Sequence, residues 1–418
     1  SVSNLNPSRS PLSWPTETSA LSLSVKNSKE SSVNDPPEEL QPFVTLRDHV
    51  RPAMPTDESV RLFSGQVWRF FRKAQKDPFI HADRLRRASR RRLNDLLELP
   101  DYGILVREMQ STFENWVADA EPANWLQLVV LPPCDRKSLV REWAVEHNHT
   151  LLTAPEPDEI LDPKFEPLLP EVAGDGVVVV PQLERWFLRH ERGLRVVRIL
   201  LKRLATLQRH CVVGCNSWAW EFLSTLVGAD MVFPAAVTFQ SFHARRLRQL
   251  FVDLSASHEA KKCFRLSSNG QDIFETKEDQ SPVSDYFARL AARSYGIPWV
   301  AWHMWRREIR LKPDDSDKTD QKFPDEETIW ITEADEFELP TGLKDSVLLV
   351  LHALLIHDGL SEKQLSSVLP GIDPMQILAA LLSAEFIDRE DTMFRCTPAA
   401  YPTARKHLIN AGFPGDKL

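Results

Sequence analysis

Residues 131–138 read Leu-Pro-Pro-Cys-Asp-Arg-Lys-Ser. Set on the phosphate-binding pattern G-x-x-x-x-G-K-[ST], Lys137 and Ser138 match, while Leu131 and Arg136 stand where the pattern has glycine. In such a loop successive backbone N–H groups wrap a phosphate, and glycine permits the close approach and the unusual dihedrals. The lysine contacts terminal phosphates and the hydroxyl binds Mg²⁺. Here Pro132 and Pro133 each lack an N–H, so donors are missing from the cradle. Arg136 puts a long cation where backbone should approach phosphate, and its side chain is expected to fill the phosphate position itself.

The neighbouring sequence is patterned to hold such a loop. The octet follows an apolar run, residues 126–130, and precedes a helical pattern from Leu139 to His147, giving strand, loop and helix in that order. Further apolar runs lie at Leu151–Thr153, Val177–Val180, Cys211–Gly214 and Ala236–Thr238, separated by helical patterns of which Leu183–Leu207 is the clearest. Continuous apolar strands alternating with helices predict a parallel sheet covered on both faces. The expected fold class is α/β, with a three-layer parallel sheet in residues 119–250.

Residues 1–45, rich in Ser, Pro and Asn, read as a flexible tail. Residues 46–118 read as helical, with an apolar stripe at Val60, Leu62, Phe63, Val67, Trp68, Phe70 and Phe71. A basic run follows the stripe: Arg84, Arg86, Arg87, Arg90, Arg91 and Arg92. It suits phosphates or an acidic partner, or else a solvated helix face. Residues 251–312 read as a helical lid with an irregular patch at 267–271, and residues 313–340 as an acidic linker. Residues 341–418 give helix, helix, helix and hairpin, the order of a winged helix.

Taken together, residues 119–412 resemble the AAA+ and STAND-type P-loop NTPases of bacteria, with landmarks in the family's order. The octet falls at Walker A. Val177–Val180 falls at Walker B, but Pro181 replaces the Mg²⁺-directing Asp and Gln182 the water-polarising Glu. A neutral amide is a far weaker proton acceptor than a carboxylate. Glu184 is expected to cap a helix or to sit in solvent. Asn216 resembles sensor 1, which in the family senses the γ-phosphate; by itself it reads as a strand-end Asn in a turn. Gly296-Ile297-Pro298 resembles the Gly-x-Pro element, whose proline packs against adenine in STAND proteins. The resemblance thus leaves a vestigial nucleotide site of Arg136, Lys137, Ser138, Asn216 and Pro298, with no catalytic and no metal-binding residue.

Metal and backbone donors supply most of the charge stabilisation in phosphoryl transfer. Loss of both glycines and both acids therefore implies a catalytically inactive NTPase-like scaffold or regulator that acts through protein partners and needs no cofactor. One alternative is a residual ATP- and Mg²⁺-binding switch or slow ATPase. The other is a nucleic-acid-binding regulator using the Arg84–Arg92 run or the winged helix. Two features disfavour nucleic acid: the net charge is -8, and the third helix of the C-terminal unit, residues 374–384, has no Lys or Arg.

The remaining features bound the function. Trp186, Trp218, Trp220, Trp299, Trp302 and Trp305 cluster near the landmarks and suit either an interface or the core. Five cysteines in 418 residues form no disulfide framework. Cys211 and Cys215 beside His210 read as a buried strand rather than a metal site, and His147-Asn148-His149 as a polar helix end. No apolar run approaches the ~20 residues of a membrane helix. The first residues lack the basic-then-apolar build of a signal peptide. The expected location is the cytoplasm, with a membrane-protein partner left open.

Overall fold

The computed structural model describes residues 42–55, 79–98, 100, 102–167, 176–233, 235–255, 261–277, 282–313, 326–341 and 344–418. The chain opens with β1 (Phe43–Thr45), β2 (Arg86–Arg87), α1 (Arg90–Leu96) and α2 (Gly103–Ala118). It continues through β3 (Leu126–Leu131), α3 (Leu139–Glu146), β4 (Thr150–Leu151), α4 (Pro157–Leu161), β5 (Val178–Val180) and α5 (Arg195–Leu204). Then come β6 (Cys211–Asn216), α6 (Ser217–Val227), β7 (Ala236–Phe239), α7 (Ala244–Ser255), β8 (Lys261–Leu266) and α8 (Tyr286–Arg293). Next are α9 (Pro298–Glu308), β9 (Ile309–Leu311) and β10 (Glu326–Ile331). Last are α10 (Lys344–His357), β11 (Leu360–Ser361), α11 (Glu362–Val368), α12 (Pro374–Ser383), β12 (Ile387–Glu390), β13 (Met393–Cys396) and α13 (Tyr401–Asn410).

The main sheet has the order β1-β7-β3-β6-β5-β4. Its pairings from β7 across to β4 are all parallel, and β1 adds an antiparallel edge. β-branched valines dominate its centre, where a stiff branched side chain packs well on a pleated surface. Every residue of β5 and β6 is buried, so both faces of the sheet are covered and the architecture has three layers. This is the P-loop NTPase-like α/β fold. The strand that carries the octet lies in the interior of the sheet, so the octet leaves its carboxyl edge, where open α/β sheets hold ligands.

The structure departs from the sequence reading in several places. The end of the expected tail is β1, an edge strand paired with β7, and Phe43 is buried. Residues 1–41, and 56–78 with the Val60–Phe71 stripe, lie outside the described residues. The expected helix 183–207 is a 3₁₀ turn, Leu183–Arg185, followed by a loop; only α5 is α-helical. Gly193 makes that loop possible, because a Cβ there would sit 2.3 Å from the Leu188 carbonyl oxygen.

A second sheet, β2-β9-β10-β8, runs through what read as helical N-terminal region, helical lid and acidic linker. Its strands are short and pair with segments far away in the sequence, so local periodicity gives no sign of them. The C-terminal unit has the expected helices and hairpin in the expected order. β11 is additional and pairs with β13, giving a small sheet β11-β13-β12. The six clustered tryptophans are all buried, which makes them core packing rather than an exposed interface. Among the described residues, no helix is long and apolar enough to cross a membrane.

Candidate functional site

β3 delivers the octet to the carboxyl edge of the main sheet. Cys134 and Ser138 take left-handed backbone angles, φ 67° and 60°, so the loop coils tightly although neither is glycine. The coil closes on Asp135. Its Oδ1 accepts from the N–H of Lys137 (3.2 Å) and Ser138 (2.9 Å), and its Oδ2 accepts from the N–H of Leu139 (2.7 Å). These are the donors at the N-terminus of α3 that a phosphate loop turns on its anion. Here the chain's own carboxylate takes them. Burial raises the Asp135 pKa, backbone bonds and the Tyr102 hydroxyl pull it down, and Asp358 raises it, leaving it at about 6. The group is therefore mostly ionised at neutral pH.

The side chains around Asp135 are engaged elsewhere. Arg136 does not fill the phosphate position. It donates to both oxygens of Asp388 in β12 (2.8 and 2.9 Å) and to the Cys396 carbonyl in β13 (3.1 Å). The nearby acids of the hairpin, Glu390 included at 3.9 Å, offer a charge-assisted partner that outweighs a lone cation beside helix N–H groups. Lys137 Nζ donates to the Pro100 carbonyl (3.2 Å) and lies 5.6 Å from the centre of the Tyr102 ring. Ser138 is buried and makes no side-chain cap to α3.

The second half of the site is also filled from within. Pro181 and Gln182 follow β5, and Glu184 comes next in the 3₁₀ turn. Glu184 is buried, 4% exposed, and accepts from the Asn216 N–H (3.1 Å), so it neither caps a helix by its side chain nor sits in solvent. Burial, then Asp358, pushes its pKa up to about 8, which keeps it protonated at neutral pH. The Asn216 side chain accepts from the Ala219 N–H (2.8 Å), capping α6, and donates to the Ile356 carbonyl in α10 (3.1 Å). Leu131, Pro133, Asp135, Glu184, Asn216 and Asp358 are among the residues that line a partly open cavity of about 20 Å³. That volume suits about one water molecule and is far too small for a triphosphate.

Pro298 opens α9 and is buried. Gly296 before it has φ +69°, and a Cβ there would sit 2.6 Å from Ser241 Cβ, so only glycine fits this turn. The turn aims Trp299 at the octet: its indole N–H donates to the Pro133 carbonyl (2.9 Å). The ring packs against Tyr102 and Phe239, with centroids 5.7 and 5.5 Å away.

The structure thus brings Arg136, Lys137, Ser138 and Asn216 to one edge of the sheet, with the Pro298 turn against them. The arginine run stands apart: Arg84, Arg86, Arg87, Arg90 and Arg91 are exposed and Arg92 is buried. Among the described residues no group of His, Cys, Asp or Glu is arranged to hold a metal, and all the cysteines are buried and free. The sequence reading overlooked Asp135, Tyr102, Asp358 and Asp388. An Asp just ahead of a helical pattern is a helix-start signal, so Asp135 was open to discovery. Asp358 and Asp388 lie more than 200 positions from the octet, and nothing local ties them to it.

No family model matches the sequence, and no curated protein matches it. Among solved structures the chain is similar to a mutant form of RuvB from Thermotoga maritima, at 14% identity over 76% of this chain and 96% of that one, with a TM-score of 0.29. It is similar to the ORC2 protein of Aeropyrum pernix at 11% identity, 75% and 95% coverage, and a TM-score of 0.33. For Cdc6p of Pyrobaculum aerophilum the values are 10%, 76% and 96%, and 0.27. At such TM-scores no residue role passes from those proteins to this chain.

Proposed function

We propose that this chain is a catalytically inactive relative of AAA+ and STAND-type NTPases, a scaffold or regulator that works through protein–protein contacts. The observation that carries the reading is the Asp135 carboxylate, which already takes three N–H donors at the N-terminus of α3. An anion held there by the chain itself competes with any phosphate, and at neutral pH it repels one. Pro181 and Gln182 in place of acids add to the reading, as does the diversion of Lys137 to Pro100. Arg136 and Asn216 tie the octet and the β6 end to the C-terminal winged-helix-like unit by direct protein contacts. The outer surfaces are then what is left to act on a partner.

Titration of the purified full chain with labelled ATP and Mg²⁺ tests the reading. No saturable binding and no hydrolysis are expected, in the parent or in Asp135→Ala, because Pro132 and Pro133 still lack donors. Micromolar binding by the parent that disappears in Lys137→Ala would establish the residual-switch alternative instead.

A further inference from the structure

The second sheet assembles a surface that no stretch of sequence shows. Its register places Arg87 opposite Arg310, Arg310 opposite Trp330, and Trp330 opposite Arg265. Paired residues share a face, so these side chains form one row across β2, β9, β10 and β8. The alternate positions Ile309, Leu311, Ile329 and Ile331 are almost wholly buried and form the inner face. The row lies on the other face, where Arg87 is exposed, Arg265 and Arg310 are half-buried, and Trp330 is 4% exposed.

One exposed aromatic ring caps this face over Trp330, and it is fixed. Phe79 is 67% exposed, yet its ring stacks on Trp330, with centroids 5.8 Å apart and planes 29° apart. The Phe79 N–H donates to the Ser268 carbonyl (3.1 Å) and the Ile80 N–H to Ser267 (3.0 Å). The ring also lies over Gly270, where a Cβ would come within 3.0 Å of it. An exposed ring held by backbone bonds and a stacking partner loses little freedom when something stacks on its open side.

Arg310 and Arg265 flank Trp330, on which the ring stacks, and Lys312 Nζ lies 6.0 Å from the centre of the Trp330 ring. Arg310 donates to the carbonyls of Arg307 and Ile309, and Arg265 to that of Gly270, none of them an acid. Arg87 has Glu385 at 3.6 Å. Burial, then the charges of Arg87 and Arg307, lowers the Arg310 pKa against the smaller opposing pull of Glu308 and Asp335. The guanidinium groups crowd one another, and an anion laid across them relieves that repulsion.

We propose that this face of the β2-β9-β10-β8 sheet binds single-stranded nucleic acid, with a base stacked on Phe79 and phosphates held by the arginines of the row. Interleaved cations and a presented ring are what an unpaired strand uses, since every base has a π-face and every nucleotide a phosphate. An acidic protein would use the arginines and leave the ring idle. A duplex keeps its bases stacked inside. The surface uses no residue of the octet, so it stands whether or not the nucleotide site is dead.

Fluorescence anisotropy of the full chain with a labelled single strand of about 12 nucleotides, over a salt series, tests this. Saturable binding that weakens linearly with log salt is expected. Phe79→Ala should bind about tenfold more weakly or worse, and Phe79→Tyr, which keeps the ring, should bind as the parent does. Replacing Arg87, the exposed arginine of the row, by Gln should flatten the salt slope by roughly 0.7 for the phosphate that is no longer neutralised. These residues are exposed, so thermal melting of each variant should match the parent. No binding at low salt overturns the proposal. So does binding that polyglutamate displaces equally well, or that duplex shares equally, if Phe79→Ala leaves it unchanged.

Discussion

At the scale of single residues, the chemistry of the site lies in three buried carboxylates, Asp135, Glu184 and Asp358. They face one small cavity, and burial raises the pKa of all three, with Asp358 adding to the rise in the other two. Glu184 is pushed from its ordinary value of 4.5 up to about 8. A carboxyl with a raised folded-state pKa contributes stability that is full below its unfolded pKa and is lost as pH climbs through the folded one. Asp135 acts in the same direction up to about 6. His352 and His357 act oppositely. Burial, the main cause, lowers them to about 4 and about 3, so their contribution is present above 6.5 and is lost as pH falls toward those values. The loss of stability between about pH 6 and about pH 9 therefore belongs mainly to Glu184. In Glu184→Gln the amide oxygen still accepts from Asn216, and urea denaturation should show a flatter profile over that range. Between about pH 6 and about pH 9 the parent should lose on the order of 3 kcal/mol more than the variant. Parallel profiles for the two proteins would contradict the assignment.

At the scale of elements, the octet works as a connector. Arg136 joins the β3–α3 loop to the β12–β13 hairpin by donating to both oxygens of Asp388 and to the Cys396 carbonyl. The pair is partly exposed, its side chains 24% and 48% accessible, so solvent screening reduces its worth. Arg136→Ala should cost about 1 kcal/mol in global stability. Its clearer sign should be faster amide hydrogen exchange within Ile387–Cys396, with the main-sheet strands unaffected. Arg136→Lys should not restore protection, because an ammonium cannot reproduce the guanidinium fork. Equal acceleration in β5 and β6 would mean that the ion pair supports the whole domain rather than the junction.

At the scale of the whole molecule, one buried acid near the C-terminus joins distant parts. The Asp416 carboxylate accepts from Ser217 at the start of α6 (2.6 Å) and from Tyr401 (2.9 Å) and Arg405 (2.7 Å) in α13. Two residues on, the Leu418 carbonyl accepts from Arg51 near the start of the described chain. The Asp416 side chain is fully buried and that of Arg405 is 9% exposed, so removing the acid leaves a guanidinium buried without its charge partner. Asp416→Ala should cost about 3–5 kcal/mol by denaturant or thermal unfolding. Arg405→Ala added to it should cost much less than the sum of the two, which a double-mutant cycle would read directly.

The sequence by itself determined the strands β3 to β7 of the main sheet, their parallel arrangement, the placing of the octet after a strand, and the C-terminal helices and hairpin, but not the antiparallel edge strand β1. Each rests on local information: valine runs, helix periodicity, and turn residues between them. It also showed that residues 131–138 lack the two glycines of the phosphate-binding pattern and that Pro181 and Gln182 follow the valine run, because those are statements about residue type. Only the tertiary structure decided which groups meet at this edge of the sheet. Asp135 turned into its own cradle, Arg136 drawn to Asp388, Glu184 buried against Asn216, and Trp299 set on Pro133 all depend on which side chains meet. The second sheet, with its row from Arg87 to Arg265, is of the same kind. Strand pairing between remote segments leaves no period in either strand, so a surface built across them exists only once the chain has folded.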